Sequence, residues 1–265
     1  MDIQNKDEIL KLIESGVLTE KEEIELLQLL EEERKEQALE NYSIFAEEYI
    51  KIVDKNAKET PFIHNRIQKQ INAKVKELHD AGKPVYIIIL KARQHGASTN
   101  EQGRMLYNTT TKPNRFGLIV AHIDDTSTEI FNKAKYMYDH LPAHVKPLQK
   151  ASNAKELVFD RPTGYKGKQK GLNSKIIVQV AGKVSIGQGF TPHYVHLSEF
   201  SRWPAPEGQE PLKQLSGILQ AVPNSPDVEV VIESTACGYR DWETDRKSTR
   251  LNSSHSAKSR MPSSA

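Results

Sequence analysis

The sequence predicts an α/β fold, in which a parallel sheet carries helices on both of its faces. Two observations support this class. Short apolar runs alternate with stretches of helical periodicity, as in chains built from repeated strand and helix units. A glycine-containing loop directly follows one of these runs. With 265 residues, 37% of them apolar and 27% charged, the chain is long enough for one large or two small globular domains.

The N-terminal region predicts helices. Residues up to about Asn41 are rich in Glu, Lys and Leu, and Thr19 followed by Glu22 has the pattern of a capping box. We expect two short amphipathic helices here and a further helix over residues 42–53. The first two would either pack on the domain as a solvated appendage or dock another subunit.

Strand and helix patterns alternate through the rest of the chain, and Gly82 and Pro84 separate the first such helix from the first strand. The predicted elements are, in order, helix Asn65–Ala81, strand Val85–Leu90, helix Ser98–Tyr107, strand Phe116–Ala121, a helix capped by Thr126 and Glu129 and running to His140, a hairpin of Leu157–Phe159 and Lys175–Val180, strand Tyr194–Leu197, helix Pro211–Ala221 and strand Val228–Glu233. The ligand site of such a sheet lies at the carboxyl ends of its strands.

Composition also limits where the protein works. The longest apolar runs, 85–90 and 116–121, are far shorter than the roughly 18 residues of a membrane span. The N-terminus is polar and acidic, unlike a signal peptide. The single cysteine, Cys237, excludes an internal disulfide. We therefore expect a cytosolic protein that does not contact membranes.

The C-terminal residues have an unusual composition. Residues 245–265 carry five basic residues and one acid and are rich in Ser, whereas the rest of the chain has a net charge of −2. From Asp245 to His255 the sequence DRKSTRLNSSH resembles the translation of a common sequencing adapter. We expect residues 240–265 to be a disordered, non-native tail and the natural chain to be cut after Gly238.

The loop LKARQHGASTN (90–100) carries the first chemical motif. Gly96 lets backbone N–H groups approach a phosphate, and the following helix N-terminus favours the same charge. Ser98 stands where a phosphate-binding loop has its Mg²⁺-binding hydroxyl, with Thr99 beside it. Ala97 replaces the usual lysine, but Lys91 and Arg93 could supply positive charge from the other end of the loop.

Two further motifs follow later strands. VHLSEF (195–200) places Glu199 just beyond an apolar strand, where a Walker B glutamate would orient the attacking water. The preceding metal position is Ser198 instead of Asp, so it would hold Mg²⁺ directly or through water. IESTACG (232–238) ends with Ser234 and Thr235, hydroxyls that could sense the γ-phosphate. Glu233 is the next acid to test as a base.

Together the three motifs resemble the ATPase domain of the large terminase subunit of tailed phages, a P-loop, RecA-like (ASCE-type) domain. The resemblance covers about Phe45 to Gly238. It rests on loop residues Lys91, Arg93, Gln94, Gly96, Ser98 and Thr99, on Leu197, Ser198, Glu199 and Trp203, and on Glu233, Ser234, Thr235, Ala236 and Gly238.

The resemblance implies roles for individual residues. Glu199 and Arg93 would be catalytic, and Gln68 would read the adenine. ATP would be bound by residues that include the whole loop, namely Gln68, Lys91, Arg93, Gln94, His95, Gly96, Ala97, Ser98, Thr99, Ser234 and Thr235. Ser98 and Ser198 would face Mg²⁺. The alternative for Gln68 is an exposed helix residue.

The resemblance further implies that residues 1–44 are an N-terminal helical appendage and residues 45–239 an ATPase domain without the family's nuclease domain. Its cofactors would be ATP and Mg²⁺. Its partners would be double-stranded DNA, a portal protein, the small terminase subunit and further copies in a ring, in the host cytoplasm. A helicase-like or restriction-type DNA translocase, or an assembly module that binds nucleotide without hydrolysis, stays an open alternative.

Overall fold

The computed structural model describes residues 18–182, 186, 189–205, 207 and 210–235. Their elements are, in chain order, α1 (Glu20–Glu40), α2 (Tyr42–Tyr49), β1 (Lys51–Val53), β2 (Glu59–Pro61), α3 (Arg66–Asp80), β3 (Val85–Lys91), α4 (Ala97–Thr111), β4 (Phe116–Ala121), α5 (Asp124–Asp139), β5 (Ala151–Ser152), β6 (Glu156–Phe159), β7 (Ser174–Val180), β8 (Tyr194–Leu197), a 3-10 turn (Phe200–Arg202), α6 (Pro211–Ala221) and β9 (Glu229–Thr235).

The predicted α/β fold is confirmed. The main sheet has the strand order β3-β9-β8-β4-β7-β6-β5, and its first five strands are parallel. Strand β6, which forms a hairpin with β7, and the short strand β5 are antiparallel additions at one side. Strand β9 lies between β3 and β8, with Glu233 in register with Ile89 of β3. The carboxyl ends of the three motif strands are therefore neighbours.

Helices cover both faces of the sheet, and β4 shows why. Every residue of β4 is buried. Ile119 and Ala121 belong to the core shared with α2, α4 and α5, whereas Leu118 and Val120 belong to the core shared with α6. Because successive strand side chains point to opposite faces, a fully apolar strand is what a sheet buried on both sides requires.

Strand β3 behaves differently because it lies at the edge of the sheet. It pairs with β9 on one side and has no partner strand on the other among the described residues. Three of its large apolar side chains are largely exposed, namely Tyr86 (53%), Ile88 (79%) and Leu90 (73%).

The N-terminal helix is present, and its predicted capping box is confirmed. Glu22 N donates to Thr19 Oγ1, and Thr19 N donates to Glu22 Oε2. The described part of this region is one helix of 21 residues, α1, followed by α2; residues 1–17 lie outside the described chain. The division into residues 1–44, 45–239 and 240–265 stays a prediction.

Two predicted boundaries are wrong. The helix expected over 42–53 ends at Tyr49, because Lys51–Val53, which includes the β-branched Ile52 and Val53, pairs as β1 with β2. The capping box expected at Thr126 is absent, because α5 already begins at Asp124 and has no side-chain cap. Two acidic residues in its first turn, Asp124 and Asp125, favour that earlier start.

Several sequence expectations fall on residues that the structure does not describe. They concern Ala236, Cys237, Gly238 and the tail from 240 to 265. Within the described chain, every helix is too short or too polar to cross a bilayer.

Candidate nucleotide site

The loop between β3 and α4 has the backbone of an anion-binding turn. Gln94 (φ +65°) and Gly96 (φ +72°) both adopt left-handed conformations. Gly96 is the N-cap of α4, and no side chain caps that helix end. Its first N–H groups therefore stay available for an acceptor, and the helix dipole favours a negative one.

Gln68 supports this loop from beneath. It is buried, so it is not an exposed helix residue. Its Nε2 donates to the Gly96 carbonyl oxygen over 2.9 Å, and its Oε1 accepts from Asn65 N over 2.8 Å. Asn65 Nδ2 also donates to His95 O over 3.1 Å. Gln68 thus fixes the loop to the start of α3, and adenine recognition by the same side chain stays a prediction.

Lys91, which was predicted to supply the positive charge of the loop, lies close to the Ser98 hydroxyl. Lys91 ends β3, and its Nζ lies 3.4 Å from Ser98 Oγ. The same nitrogen lies 3.7 Å from Glu199 Oε1 and 3.6 Å from Glu233 Oε2. The amine is mostly buried, with 12% of the side chain exposed, which strengthens its attraction to any charge placed there.

Glu199 is separated from the end of β8 by Ser198 and has a left-handed backbone, with φ +50°. A non-glycine residue in this region is uncommon and often marks a functional position. Its Oε2 accepts from Thr235 Oγ1 over 2.7 Å and lies 3.5 Å from Arg202 Nε. The next turn is anchored by Trp203, whose Nε1 donates to Ser198 O over 3.0 Å. Thr235 therefore connects the end of β9 to the predicted water-orienting acid.

Sequence reasoning gave Glu233 no part in the metal site, yet it lies at the centre of the cluster. Its Oε1 accepts from Ser98 Oγ over 2.5 Å and from Ser198 Oγ over 3.2 Å. His196 Nε2 lies 3.1 Å from the same oxygen. Burial alone would raise the pKa of this fully buried carboxyl, but His196, Lys91 and Ser98 together lower the pKa to about 2. The available signal was an acid near the end of an otherwise apolar strand.

The remaining predicted residues have different surroundings. Arg93 and Gln94 are exposed on the loop, and Ala97 is buried. Thr99 lines a separate pocket of about 280 Å³ together with Ile52 and Tyr136. Ser234 Oγ lies 2.6 Å from Ser201 Oγ and accepts from Ser201 N over 3.2 Å, so it supports the 3-10 turn.

A second buried charge cluster is separate from the phosphate loop. Arg104 Nε lies 3.2 Å from Glu229 Oε2, at the start of β9. Glu229 Oε1 also accepts from Asn108 Nδ2 over 3.0 Å and lies 3.0 Å from His79 Nε2. These groups line a cavity of about 570 Å³. Because these ion pairs and hydrogen bonds connect three elements, the cluster is explained by holding α3, α4 and β9 together.

The residues present fit a magnesium–nucleotide complex better than a metal held by protein alone. The described chain has no group of three or more His, Cys, Asp or Glu side chains arranged for a metal. Mg²⁺ with a nucleotide commonly takes one or two protein ligands plus phosphates and waters. Ser98 provides a hydroxyl at this point, and the buried Glu233 Oε2 has no hydrogen-bond partner.

Solved structures share the mixed α/β fold of this chain. The HK97 bacteriophage large terminase matches with a TM-score of 0.56 and 16% identity, over 74% of this chain and 37% of that one. A mutant ATPase domain of the Thermus phage P74-26 large terminase matches with a TM-score of 0.46 and 21% identity, over 64% of both chains. Dbp5 of S. cerevisiae, bound to Gle1 and IP6, gives a TM-score of 0.40 and 14% identity, over 68% of this chain and 43% of that one.

The similarity is one of structure. No family model and no curated protein matches the sequence. The chain spans little more than a third of the length of the HK97 large terminase. What the HK97 comparison supports is the mixed α/β fold with its mostly parallel seven-stranded sheet.

Proposed function

We propose that this chain is the ATPase domain of a phage large terminase subunit, which hydrolyses ATP to drive double-stranded DNA into a procapsid. One observation carries the proposal. Lys91 and Ser98 of the loop motif and Glu199 of the VHLSEF motif converge at the carboxyl ends of β3 and β8, the strands on either side of β9. This convergence, within a fold that the HK97 large terminase shares, supports ATP as the ligand.

The chain's own groups divide the work. The loop N–H groups and the Lys91 ammonium bind the phosphates, which draws Lys91 away from its two carboxylates. Glu199 accepts or orients the proton of the attacking water, while Thr235 holds that carboxylate in place. Bound Mg²⁺ would neutralise charge on the phosphates. Exposed Arg93 is free to reach a phosphate in the same chain or a neighbouring copy.

The remaining parts of the proposal come from the terminase resemblance. The domain works as a ring of copies at a portal protein, with the small terminase subunit and DNA as its other partners, in the host cytoplasm. The exposed lysines of the loop between β6 and β7, Lys166, Lys168 and Lys170, carry the charge that DNA phosphates require.

Nucleotide binding and hydrolysis test the proposal. Lys91→Ala should weaken ATP binding roughly 10- to 100-fold, because a charge-assisted hydrogen bond contributes about 1.5–3 kcal/mol. Lys83→Ala, an exposed lysine just before the same strand, is the matched control and should bind ATP normally. Phosphate release should rise when DNA and a portal ring are added. A parent chain that binds ATP without ever hydrolysing it would favour the assembly-module alternative, and absence of ATP binding would refute the proposal.

A further inference from the structure

The Walker B strand of this chain lacks the acid that its chemistry requires. P-loop NTPases hold Mg²⁺ with the loop Ser or Thr and with a Walker B aspartate. Here the corresponding residue is Ser198, which has a hydroxyl but no charge. Glu199 is engaged by Thr235 and Arg202 and is assigned to water. A carboxylate for the metal must therefore come from another element.

Glu233 occupies the right place for that carboxylate. Its strand, β9, runs between the loop strand β3 and the Walker B strand β8. Its Oε1 accepts hydrogen bonds from both Ser98 and Ser198. A serine hydroxyl that binds a cation directs a lone pair at the metal and its hydrogen away, so the hydroxyl needs an acceptor. Glu233 Oε1, 2.5 Å from Ser98 Oγ, is that acceptor.

The second oxygen of the same carboxylate has no hydrogen bond. Glu233 is completely buried, and its Oε2 is among the buried polar atoms without a hydrogen-bond partner. The nearest charge is Lys91 Nζ, 3.6 Å away, and phosphates would compete for that amine. Such an atom is unfavourable unless a ligand or water satisfies it. A metal-bound water would satisfy it.

Gln102 and His196 hold the Glu233 carboxylate in this orientation. Gln102 Nε2 lies 2.7 Å from His196 Nδ1, and an amide nitrogen can only donate. With Nδ1 accepting from that amide, the imidazole presents its N–H at Nε2, which lies 3.1 Å from Glu233 Oε1. All three side chains are buried, so the carboxylate is fixed before any ligand arrives.

We propose that Glu233 replaces the missing Walker B aspartate. In this chain the acid that serves Mg²⁺ has moved to the adjacent strand β9, where it accepts from Ser98 and faces the metal through water. Glu199 is thereby left to act on the attacking water alone. The inference rests on the proposed ATPase function and adds to it the residue that carries the metal site.

Metal binding tests this assignment without relying on turnover. Mn²⁺ would be titrated into the full chain in the presence of ADP and followed by electron paramagnetic resonance. Glu233→Gln should lower the Mn²⁺ affinity roughly 10- to 100-fold, the usual loss for a partner of a metal ligand. ADP affinity without metal should stay within about threefold of the parent. Asp227→Asn, which removes an exposed acid from the loop before the same strand, should change neither quantity.

A second variant tests whether an acid at position 198 of the Walker B motif can replace Glu233. Ser198 Oγ lies 3.2 Å from Glu233 Oε1, so Ser198→Asp in the Glu233→Gln background should restore much of the lost Mn²⁺ affinity. Parental Mn²⁺ affinity in Glu233→Gln would overturn the inference. Failure of the parent chain to bind ADP or ATP at all would instead refute the proposed function.

Crystals of the unmutated chain grown with Mn²⁺ and ADP decide the matter if these variants fail to fold or to restore binding. The anomalous Mn²⁺ peak should lie at Ser98 Oγ and within one water of the Glu233 carboxylate. A peak coordinated elsewhere, with Glu233 facing neither the metal nor its waters, would overturn the assignment.

Discussion

Glu199→Gln should separate nucleotide binding from hydrolysis. The substitution keeps the size of the side chain and leaves an oxygen that can accept from Thr235 Oγ1, as Glu199 Oε2 does over 2.7 Å. It removes the charge that faces Lys91 at 3.7 Å and Arg202 at 3.5 Å. Only the carboxylate function is therefore lost.

Glu199→Gln should change ATP affinity much less than the rate of hydrolysis. The ion pair with the partly exposed Arg202, at 3.5 Å, contributes about 0–1 kcal/mol. The ion pair with the mostly buried Lys91, at 3.7 Å, holds an amine that phosphate also needs. Their loss also frees Lys91 for phosphate, so ATP affinity should stay within about fivefold of the parent or improve. Removing a general base, by contrast, lowers the rate of the chemical step roughly 10²- to 10⁴-fold, or about 3–5 kcal/mol of barrier.

Both quantities should be measured on the same preparations, with a fluorescent ATP analogue for binding and phosphate release for turnover. The comparison belongs in whichever assembly gives measurable parental activity, because ring motors often complete a site with a neighbouring copy. Glu77→Gln, which removes an exposed acid that pairs with Lys74, is the control. Hydrolysis at the parental rate by Glu199→Gln would refute its role and make Glu233 the next candidate base.

Three further predictions follow from the loop and from Glu233. Gly96→Val should abolish nucleotide binding, because position 96 has φ +72° and an added Cβ would lie 2.7 Å from Gln68 Nε2. Gly164→Val is the control for backbone strain, since Gly164 has φ +81° but open space around it, and this variant should bind nucleotide normally. Gln68→Ala should lower stability by about 0.5–1.5 kcal/mol through its lost bond to Gly96 O. ATP-over-GTP selectivity that is unchanged in competition assays would argue against adenine reading by Gln68. The lowered pKa of Glu233 contributes stability above its ordinary value of 4.5 that is lost as the pH falls toward about 2. Denaturant titrations should therefore show that the difference in free energy of unfolding between the parent and Glu233→Gln, about 3 kcal/mol at most, shrinks as the pH falls from 4.5 toward about 2. A difference that stays constant over this pH range would contradict the assignment.

Sequence patterns were sufficient for much of the architecture. The bounds of β8 and α6 match their predicted ranges, since each has a strong pattern and clear end signals. The convergence of the motifs was also foreseeable, because parallel strands end at the same edge. The short strands β1, β2 and β5 were not predicted, because two or three residues give no period to detect.

The centre of the site could not be found in the same way. The importance of Glu233 depends on β9 lying between β3 and β8. The pairing of β9 with β3 joins residues more than a hundred positions apart in the sequence. Local pattern carries no information about that order. The burial of Gln68 is similar, since its contact with Gly96 joins residues 28 positions apart. Long-range packing decided both.

The exposed edge strand β3 has a practical consequence for handling the protein. One of its sides presents backbone groups without a strand partner among the described residues, next to uncovered Tyr86, Ile88 and Leu90. Such an edge is a template on which another extended segment can add, whether foreign or from a second molecule. Concentrated samples therefore favour sheet-to-sheet association along β3. Ile88 is the most exposed of the three side chains, and Ile88→Lys should oppose this association, because natural sheets often carry lysine on exposed edge strands.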